Sequence, residues 1–116
     1  MAPETRKQKF STYYTEQSSI NKSGDNVKLW VLRDYNAPQL MSKGSFNLAT
    51  DMNHLSLKAK LEYNCKTEES RKIFISWHTG NMGGGEKITS NSELGGWNPV
   101  VPDSIDQVMW TLACSK

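Results

Sequence analysis

The sequence contains few of the residues from which metal sites and many catalytic sites are built. Only two cysteines and two histidines occur among its 116 residues. The cysteines, Cys65 and Cys114, lie far apart in the chain rather than in the close pairs typical of zinc sites. No serine, histidine and aspartate set, and no cysteine and histidine pair, has the spacing of a nucleophilic active site. The composition therefore argues against a metalloprotein and against an enzyme.

Long apolar runs and a concentration of one charge sign are also missing. No run approaches the ~20 apolar residues of a membrane-spanning helix, and residues 1–9 carry charges without the apolar stretch of a signal peptide. The net charge is +2 and the basic residues are scattered, which argues against nucleic-acid binding. We therefore expect either a cytoplasmic protein or the mature part of an exported protein whose signal sequence has been removed.

The strongest secondary-structure signal is a strict alternation of apolar and polar residues over residues 55–65. The apolar positions are Leu55, Leu57, Ala59, Leu61, Tyr63 and Cys65. A period of two is typical of a β-strand with one face on a core and the other in water. A shift of one residue would move every apolar side chain into solvent, so the register of this strand is strongly specified.

Other strands are predicted from aromatic and β-branched residues, and loops from Gly, Pro, Ser and Asn. Strands are expected over residues 10–15, 26–35, 45–50, 71–79 and 86–90. Loops or irregular segments are expected over residues 16–25, 36–44, 66–70, 80–85 and 91–102. The unbroken apolar run at 29–32 indicates a central strand that is covered on both faces. Short connections predict antiparallel neighbours.

The one predicted helix begins after Ser104, an N-cap whose capping box is completed by Gln107. Its apolar stripe consists of Ile105, Val108, Met109 and Leu112. We expect this stripe to cover the sheet face that carries Leu57, Ala59 and Leu61. The predicted fold class is α+β, with a single antiparallel β-sheet of five to six strands and a C-terminal α-helix packed on one face. Residues 10–116 would form the domain and residues 1–9 a disordered segment.

The residues alone leave two interpretations of the cysteines open. They are either free buried thiols or a structural disulfide, which would imply an oxidising compartment. If the helix stays regular, Cys114 lies on the far side of the predicted apolar stripe. A bond between Cys65 and Cys114 would then require the helix to end or unwind near Ala113.

Candidate ligand-binding residues cluster near the glycine-rich segment of residues 80–85 (GNMGGG). No Lys-Ser or Lys-Thr pair and no helix follows this segment, so it is interpreted as a hairpin loop and not as a phosphate loop. His78 and Met82 are residue types that serve as axial haem ligands. Together with Trp77 they form the candidate ligand-binding site. The alternative is that they are ordinary surface and packing residues.

Several residues are assigned structural roles. Trp30 and Trp97 are expected to pack against the core or its covering loops, with a binding surface as the alternative. Arg71 is expected to pack its stem on an aromatic ring or to bond carbonyl groups of the loop that holds Trp97. The alternative for Arg71 is a solvated side chain. Ser104 caps the helix.

Several short segments, taken in order, resemble the surface-adhesin protein E family. They are residues 29–35 (LWVLRDY), 63–65 (YNC), Arg71, 78–86 (HTGNMGGGE), 97–104 (WNPVVPDS) and 113–114 (AC). The resemblance runs from about Tyr13 to Cys114. Asn64 departs from the pattern, because the family more often has aspartate before the cysteine. No ligand-binding motif of the family is recognisable, so no binding residue is carried over.

The resemblance implies an exported protein of a Gram-negative bacterium, in the periplasm or at the outer-membrane surface and often a lipoprotein. It implies a disulfide between Cys65 and Cys114 and an antiparallel sheet with a C-terminal helix. The implied function is a non-catalytic, adhesin-like domain that binds a host extracellular-matrix protein or another envelope protein. The alternative is a small-ligand or haem carrier that uses His78 and Met82, with a homodimer as one arrangement. No other cofactor is expected.

Overall fold

The structure, a computed structural model, describes residues 4–7, 11–92 and 95–115. These residues form eight strands and one α-helix. The strands are β1 (Glu4–Lys7), β2 (Ser11–Thr15), β3 (Asn21–Ser23), β4 (Asn26–Met41), β5 (Met52–Asn64), β6 (Glu69–His78), β7 (Lys87–Asn91) and β8 (Asn98–Pro99). The helix is α1 (Ile105–Cys114), and short 3₁₀ turns lie at Gln17–Ser19, Ser45–Asn47 and Asn81–Gly83.

All described strands belong to one antiparallel sheet. Six of them follow the order β1-β2-β4-β5-β6-β7, while the short strands β3 and β8 pair with β4 and β6. Helix α1 packs on one side of this sheet, which we call the helix face, and we call the opposite side the open face. The predicted α+β class with an antiparallel sheet and a C-terminal helix is confirmed. The two short strands lie beside the six-stranded path.

The pairing of β4 with β5 forms the centre of the core. Val27 pairs with Tyr63 and Leu29 with Leu61, and these side chains share the helix face. Strand β5 and its apolar face are therefore present as predicted, but the expectation that its other face lies in water is wrong at Ser56 and Glu62, which are buried. Strand β4 is central, as its apolar run indicates, but the expectation that both its faces are covered is wrong. Its second face is the open face, where the side chain of Trp30 is 38% exposed.

Strand β4 is longer than predicted, because it continues through Pro38 to Met41. Its register with β5 shifts between Asp34 and Gln39. Such an irregularity accommodates a proline, which has no N–H to donate to a neighbouring strand. Residues 36–41 were expected to form a loop, and that expectation is wrong.

The strand predicted over residues 45–50 is also wrong, since Ser45–Asn47 is a 3₁₀ turn. Phe46 in this turn has a φ of 49°. Its ring lies 4.3 Å from that of Trp77, measured between centroids. This contact covers part of the Trp77 ring and is a physical reason for the chain to leave the extended conformation here, despite the positive φ.

Three short strands lie where the sequence predicted none. Strand β1 pairs with β2, so the disorder expected over residues 1–9 does not extend to Glu4–Lys7. Residues 1–3 and 8–10 of the predicted N-terminal elements lie outside the described residues. Strands β3 and β8 lie within two segments that were expected to be loops or irregular. Each short strand pairs with a longer one, whose unpaired backbone groups it satisfies.

Helix α1 is capped by Ser104, whose hydroxyl oxygen accepts the backbone N–H of Gln107 at 3.1 Å. The other half of the predicted capping box is displaced by one residue. The side-chain oxygen of Gln107 accepts the N–H of Asp103, at 2.7 Å, instead of that of Ser104. The backbone of Asp103 has a positive φ of 63°, so the chain turns sharply just before the helix.

The predicted apolar stripe of α1 is correct for Ile105 and Met109, which pack on the core, and wrong for Val108 and Leu112. The buried residues of the helix are Met109 and Ala113, and Ile105 and Trp110 pack beside them. Val108 and Leu112, which were expected to face the sheet, instead line a shallow depression beside Thr111 and Ser115. The helix packs over a cluster that includes Val27, Leu29, Val31 and Tyr63. Of the expected sheet positions Leu57, Ala59 and Leu61, only Leu61 packs against this cluster.

The observed orientation of the helix also explains how Cys114 reaches Cys65. The helix remains regular through Cys114, and Cys65 and Cys114 form a disulfide with their Cα atoms 5.6 Å apart. No unwinding near Ala113 is needed, because Cys114 follows Trp110 by one turn at the edge of the packed side. The indole of Trp110 donates a hydrogen bond to the carbonyl of Asn64, beside the disulfide.

Candidate binding groove on the open face

The open face of the sheet carries a groove of about 460 Å³. Strands β2, β4 and β5 form its floor and rim, and the glycine-rich loop between β6 and β7 closes one part of it. The lining residues are Tyr14, Glu16, Trp30, Val31, Leu32, Lys58 and Met82. The groove has the volume of a typical ligand pocket and is mostly apolar, so we treat it as the candidate functional site.

Trp30 is the largest exposed aromatic residue of the groove. Its ring contacts that of Phe74 edge to face, with 5.7 Å between the centroids. Trp30 lies on β4 and Phe74 on β6, so their rings meet above Lys60 of β5, which pairs with both residues. The ammonium of Lys60 lies 5.8 Å from the centroid of the Trp30 ring, so cation and aromatic ring are neighbours beside the groove.

The glycine-rich loop is fixed onto the open face by hydrogen bonds. One carboxylate oxygen of Asp34 accepts the backbone N–H of Met82 at 2.7 Å and the side-chain N–H of Asn81 at 3.0 Å. The hydroxyl of Ser56 donates to the carbonyl of Gly80 and accepts the N–H of Gly83. The loop is therefore a hairpin connection, as predicted, and it also forms a wall of the groove.

Met82 has an unusual conformation for its residue type. Its φ is 55° and its ψ is 35°, in the left-handed region, and its side chain is 52% exposed. A non-glycine residue in this region is uncommon and costs conformational energy. The hydrogen bonds to Asp34 and Ser56 hold the loop in place, and Met82 lines the groove as a result.

Gly83, the next residue, allows the loop to lie against Lys58. Its φ is 75°, and a Cβ at this position would lie 2.5 Å from Cε of Lys58. A side chain at residue 83 would therefore displace either the loop or the lysine. The alkyl stem of Lys58 packs along the loop backbone as a consequence.

The predicted ligand-binding residues are not brought together. His78 is buried and its Nε2 atom lies 2.8 Å from the Ser76 hydroxyl, in a hydrogen bond. Burial, together with the charges of Lys58 and Lys87, lowers the pKa of His78. Neither His78 nor Trp77 lines the groove, and Trp77 packs against Phe46. Among the three predicted residues, Met82 is the one that lines it.

Arg71 lies between a buried carboxylate and a tryptophan. Its Nε donates to Glu62 at 2.7 Å, and its Cζ lies 4.5 Å from the centroid of the Trp97 ring. Glu62 also accepts a hydrogen bond from the side chain of Asn26. The arginine thus compensates the buried charge of Glu62 and contacts the ring in the loop before β8, a position that fits its predicted structural role.

Most residues that line the groove were not predicted from the sequence as site residues. Trp30 and Leu32 alternate with the core residues of β4 and give this strand a second apolar face. That second face is the feature of the sequence that indicates an apolar groove. Met82 was predicted only as a candidate haem or small-ligand residue, and Tyr14 was not predicted as a site residue, because their approach to Leu32 and Trp30 depends on strand pairing and on the hydrogen bonds that Asp34 accepts.

Metal-binding clusters and membrane-spanning helices are absent from residues 4–7, 11–92 and 95–115. In this part of the chain, no group of three or more histidine, cysteine, aspartate or glutamate residues is arranged to hold a metal ion. No helix there has the length and apolar character needed to span a membrane.

One family model and several solved structures are similar to this chain. The family model described as surface-adhesin protein E matches residues 3–115. Crystal form II of Haemophilus influenzae protein E has a TM-score of 0.68 at 12% identity, covering 99% of this chain and 94% of that chain. Another structure of Haemophilus influenzae protein E gives 0.67 at 13% identity, with coverage of 99% and 91%. At such identities, structural similarity shows the fold alone. No curated protein sequence matches the chain.

Proposed function

The chain belongs to the surface-adhesin protein E family, and we propose that it is a non-catalytic binding domain of a Gram-negative envelope. Membership of this family makes it an adhesin-like, exported surface protein. The finer proposal is that it binds a protein partner, either a host extracellular-matrix protein or another envelope protein, through the groove of the open face. We further propose that it is displayed on the outer membrane, where such a partner is accessible.

The conformation of Met82 is the observation that carries this proposal. An exposed methionine in the left-handed region has no evident benefit for folding, because it costs conformational energy and buries little apolar surface. The hydrogen bond that its backbone N–H donates to Asp34 nevertheless fixes it beside Trp30 and Leu32. Residues with strained backbone conformations are concentrated at binding sites, where the surrounding structure fixes them in the conformation that contacts the ligand.

The alternative role as a haem or small-ligand carrier has less support. The Nε2 atom of His78 already has a hydrogen-bond partner in Ser76, and the residue is buried. Met82 lines the groove, while His78 does not. The two side chains are therefore not arranged around one cavity as a ligand pair.

Binding to a panel of immobilised host extracellular-matrix proteins and envelope proteins tests the proposal. We expect the wild-type protein to bind at least one of them, and Trp30→Ala and Met82→Ala to raise the Kd by about tenfold or more, since central aromatic and apolar anchors dominate interfaces. Leu40→Ala is the matched control, because Leu40 is 65% exposed and does not line the groove. Thermal unfolding verifies that each variant is folded.

Two results would contradict the proposal. One is that the wild-type protein binds no member of the panel. The other is that both groove variants bind as tightly as the wild type, or that Leu40→Ala loses as much affinity as they do.

A further inference from the structure

We infer that the groove of the open face recognises an extended acidic segment of the partner protein, with two carboxylates at alternate positions and an apolar side chain beside them. This inference rests on the proposed function and specifies the chemistry of the ligand. It depends on the charges around the groove, on the spacing of two lysines and on the apolar floor.

Lysines surround the apolar floor of the groove. Lys58 lines it, Lys60 lies beside the ring of Trp30, and Lys28 is exposed on the same face of β4, where it pairs with Glu62 across the strands. Lys87 lies near enough to lower the pKa of His78, as Lys58 does. Within the described part of the chain, Lys58 and Lys60 form no ion pair with a carboxylate.

The carboxylates of the open face, by contrast, already have partners. Asp34 accepts two hydrogen bonds from the glycine-rich loop. Glu62 is ion-paired with Arg71. Glu16 lines the groove and accepts a hydrogen bond from the hydroxyl of Ser18 at 3.0 Å. A ligand that enters between Trp30 and Lys58 therefore meets an excess of positive charge, which favours carboxylates.

The spacing of the lysines indicates an extended ligand. Lys58 and Lys60 lie on the same face of β5, two residues apart, which corresponds to roughly 7 Å along a strand. Two acidic side chains at positions i and i+2 of an extended peptide have the same separation. The contact of the Lys58 stem with Gly83 limits the freedom of that ammonium, and a restricted lysine loses less conformational entropy on binding.

The apolar floor then requires an apolar neighbour on the ligand. Tyr14, Trp30, Leu32 and Met82 offer aromatic and aliphatic surface next to the lysines. A segment of carboxylates alone would leave this surface exposed, and an uncharged apolar segment would leave the lysines without a partner. A protein segment with both features complements the whole groove, and an extended chain also provides the strand-like spacing of its carboxylates.

Fluorescent peptides test the inference on the full chain. The first probe is a capped, extended peptide with a leucine followed by aspartates at alternate positions. The second carries asparagine in place of both aspartates, and the third carries lysine. We expect the aspartate peptide to bind, the asparagine peptide to bind more weakly by roughly tenfold, and the lysine peptide not to bind measurably. Binding of the aspartate peptide should weaken as salt is raised.

Charge reversal locates the contact. We expect Lys58→Glu and Lys60→Glu each to weaken binding of the aspartate peptide by at least about tenfold, and the double variant to bind the lysine peptide instead. Lys66→Glu, in the exposed turn before β6, is the matched control and should change the Kd by less than about twofold.

The results that would overturn the inference differ in what they imply for the proposed function. Equal binding of the aspartate and asparagine peptides, or no effect of either reversal, overturns the inference. If Trp30→Ala still weakens binding to a matrix or envelope protein in that case, the proposed function survives. Loss of monomer in sedimentation that Lys58→Glu reverses would assign the groove to a second copy of the chain, and would also overturn the inference.

Discussion

The buried hydroxyl of Tyr63 on β5 donates a hydrogen bond of 2.8 Å to Oδ1 of Asp106 in the first turn of α1. The hydroxyl of Ser70 donates to the other carboxylate oxygen, also at 2.8 Å. Burial, followed by the negative charge and hydrogen bond of Asp106, raises the pKa of Tyr63, so the phenol stays protonated as the donor. This link joins β5 and β6 to the first turn of the helix and holds Asp106 on the side of the helix that meets the sheet.

Removal of the Tyr63 hydroxyl should therefore destabilise the fold. We expect Tyr63→Phe to lower the free energy of unfolding by about 1–3 kcal/mol, because a hydrogen bond to a charged group is lost and one oxygen of Asp106 keeps no equivalent partner. Urea unfolding measures the change. Tyr14→Phe, on the open face, is the control and should change the free energy by less than about 0.5 kcal/mol. Equal effects of the two variants would refute the role of the link.

The orientation of the helix is tested by two substitutions on the same element. We expect Met109→Ala to lower the free energy of unfolding by about 2–5 kcal/mol, because Met109 is 1% exposed and its loss leaves a cavity against Leu29 and Tyr63. Leu112→Ala should cost less than about 1 kcal/mol, since Leu112 is only half-buried and lies outside the core cluster. Chemical denaturation measures both changes. If Leu112→Ala cost more than Met109→Ala, the helix would face the sheet through the stripe predicted from hydropathy.

These residues show why the sequence predicts the helix but not its rotation. Hydropathy favours a stripe with Val108 and Leu112, because Asp106 is charged and Ala113 is small. The partners of Asp106 are Tyr63 and Ser70, which lie far away in the chain, so a local pattern contains no information about them. The alternation of residues 55–65, by contrast, predicts β5 because every apolar position lies on one face.

The groove could not be predicted from the sequence for a related reason. The apolar run at 29–32 does predict two apolar faces for β4, and the structure contains both. Sequence pattern does not say whether the second face is covered by the same chain or left exposed for a partner. The position of Met82 depends on its hydrogen bond to Asp34, a contact between residues distant in the sequence.

The disulfide should contribute a large share of the stability. Cys65 and Cys114 are 49 residues apart, and closing a loop of this size restricts the unfolded chain by about 4 kcal/mol in the chain-entropy account. We expect Cys114→Ser, or reduction of the wild-type protein, to lower the Tm by on the order of 10 °C or more. Differential scanning fluorimetry with and without reductant measures this shift. A Tm that reductant does not change, despite complete alkylation of both thiols, would contradict the expectation.

Acidification should destabilise the protein through its histidines. His54 is buried against the ring of Tyr35, and its Nδ1 atom has no hydrogen-bond partner among the described residues. Burial is the main cause that lowers the pKa of His54, and the pKa of His78 is lowered as well. The unfolded chain therefore binds more protons, so the stability is fully present above about pH 6.5 and is lost as pH falls through the folded pKa values.

Urea unfolding across this pH range measures the effect of each histidine. We expect His54→Gln to reduce the dependence of the unfolding free energy on pH below about pH 6.5, and His78→Gln to remove a further part. A steeper loss of stability in either variant than in the wild type would contradict this assignment.

The most direct test of the binding groove is an NMR titration of the labelled protein with the aspartate peptide. We expect the largest shift changes at the indole N–H of Trp30, the methyl group of Met82 and the amide of Lys58, while the helix residues Val108 and Leu112 stay unchanged. Shift changes centred on Val108 and Leu112, with Trp30 and Met82 unaffected, would contradict the claim that the open face is the binding surface.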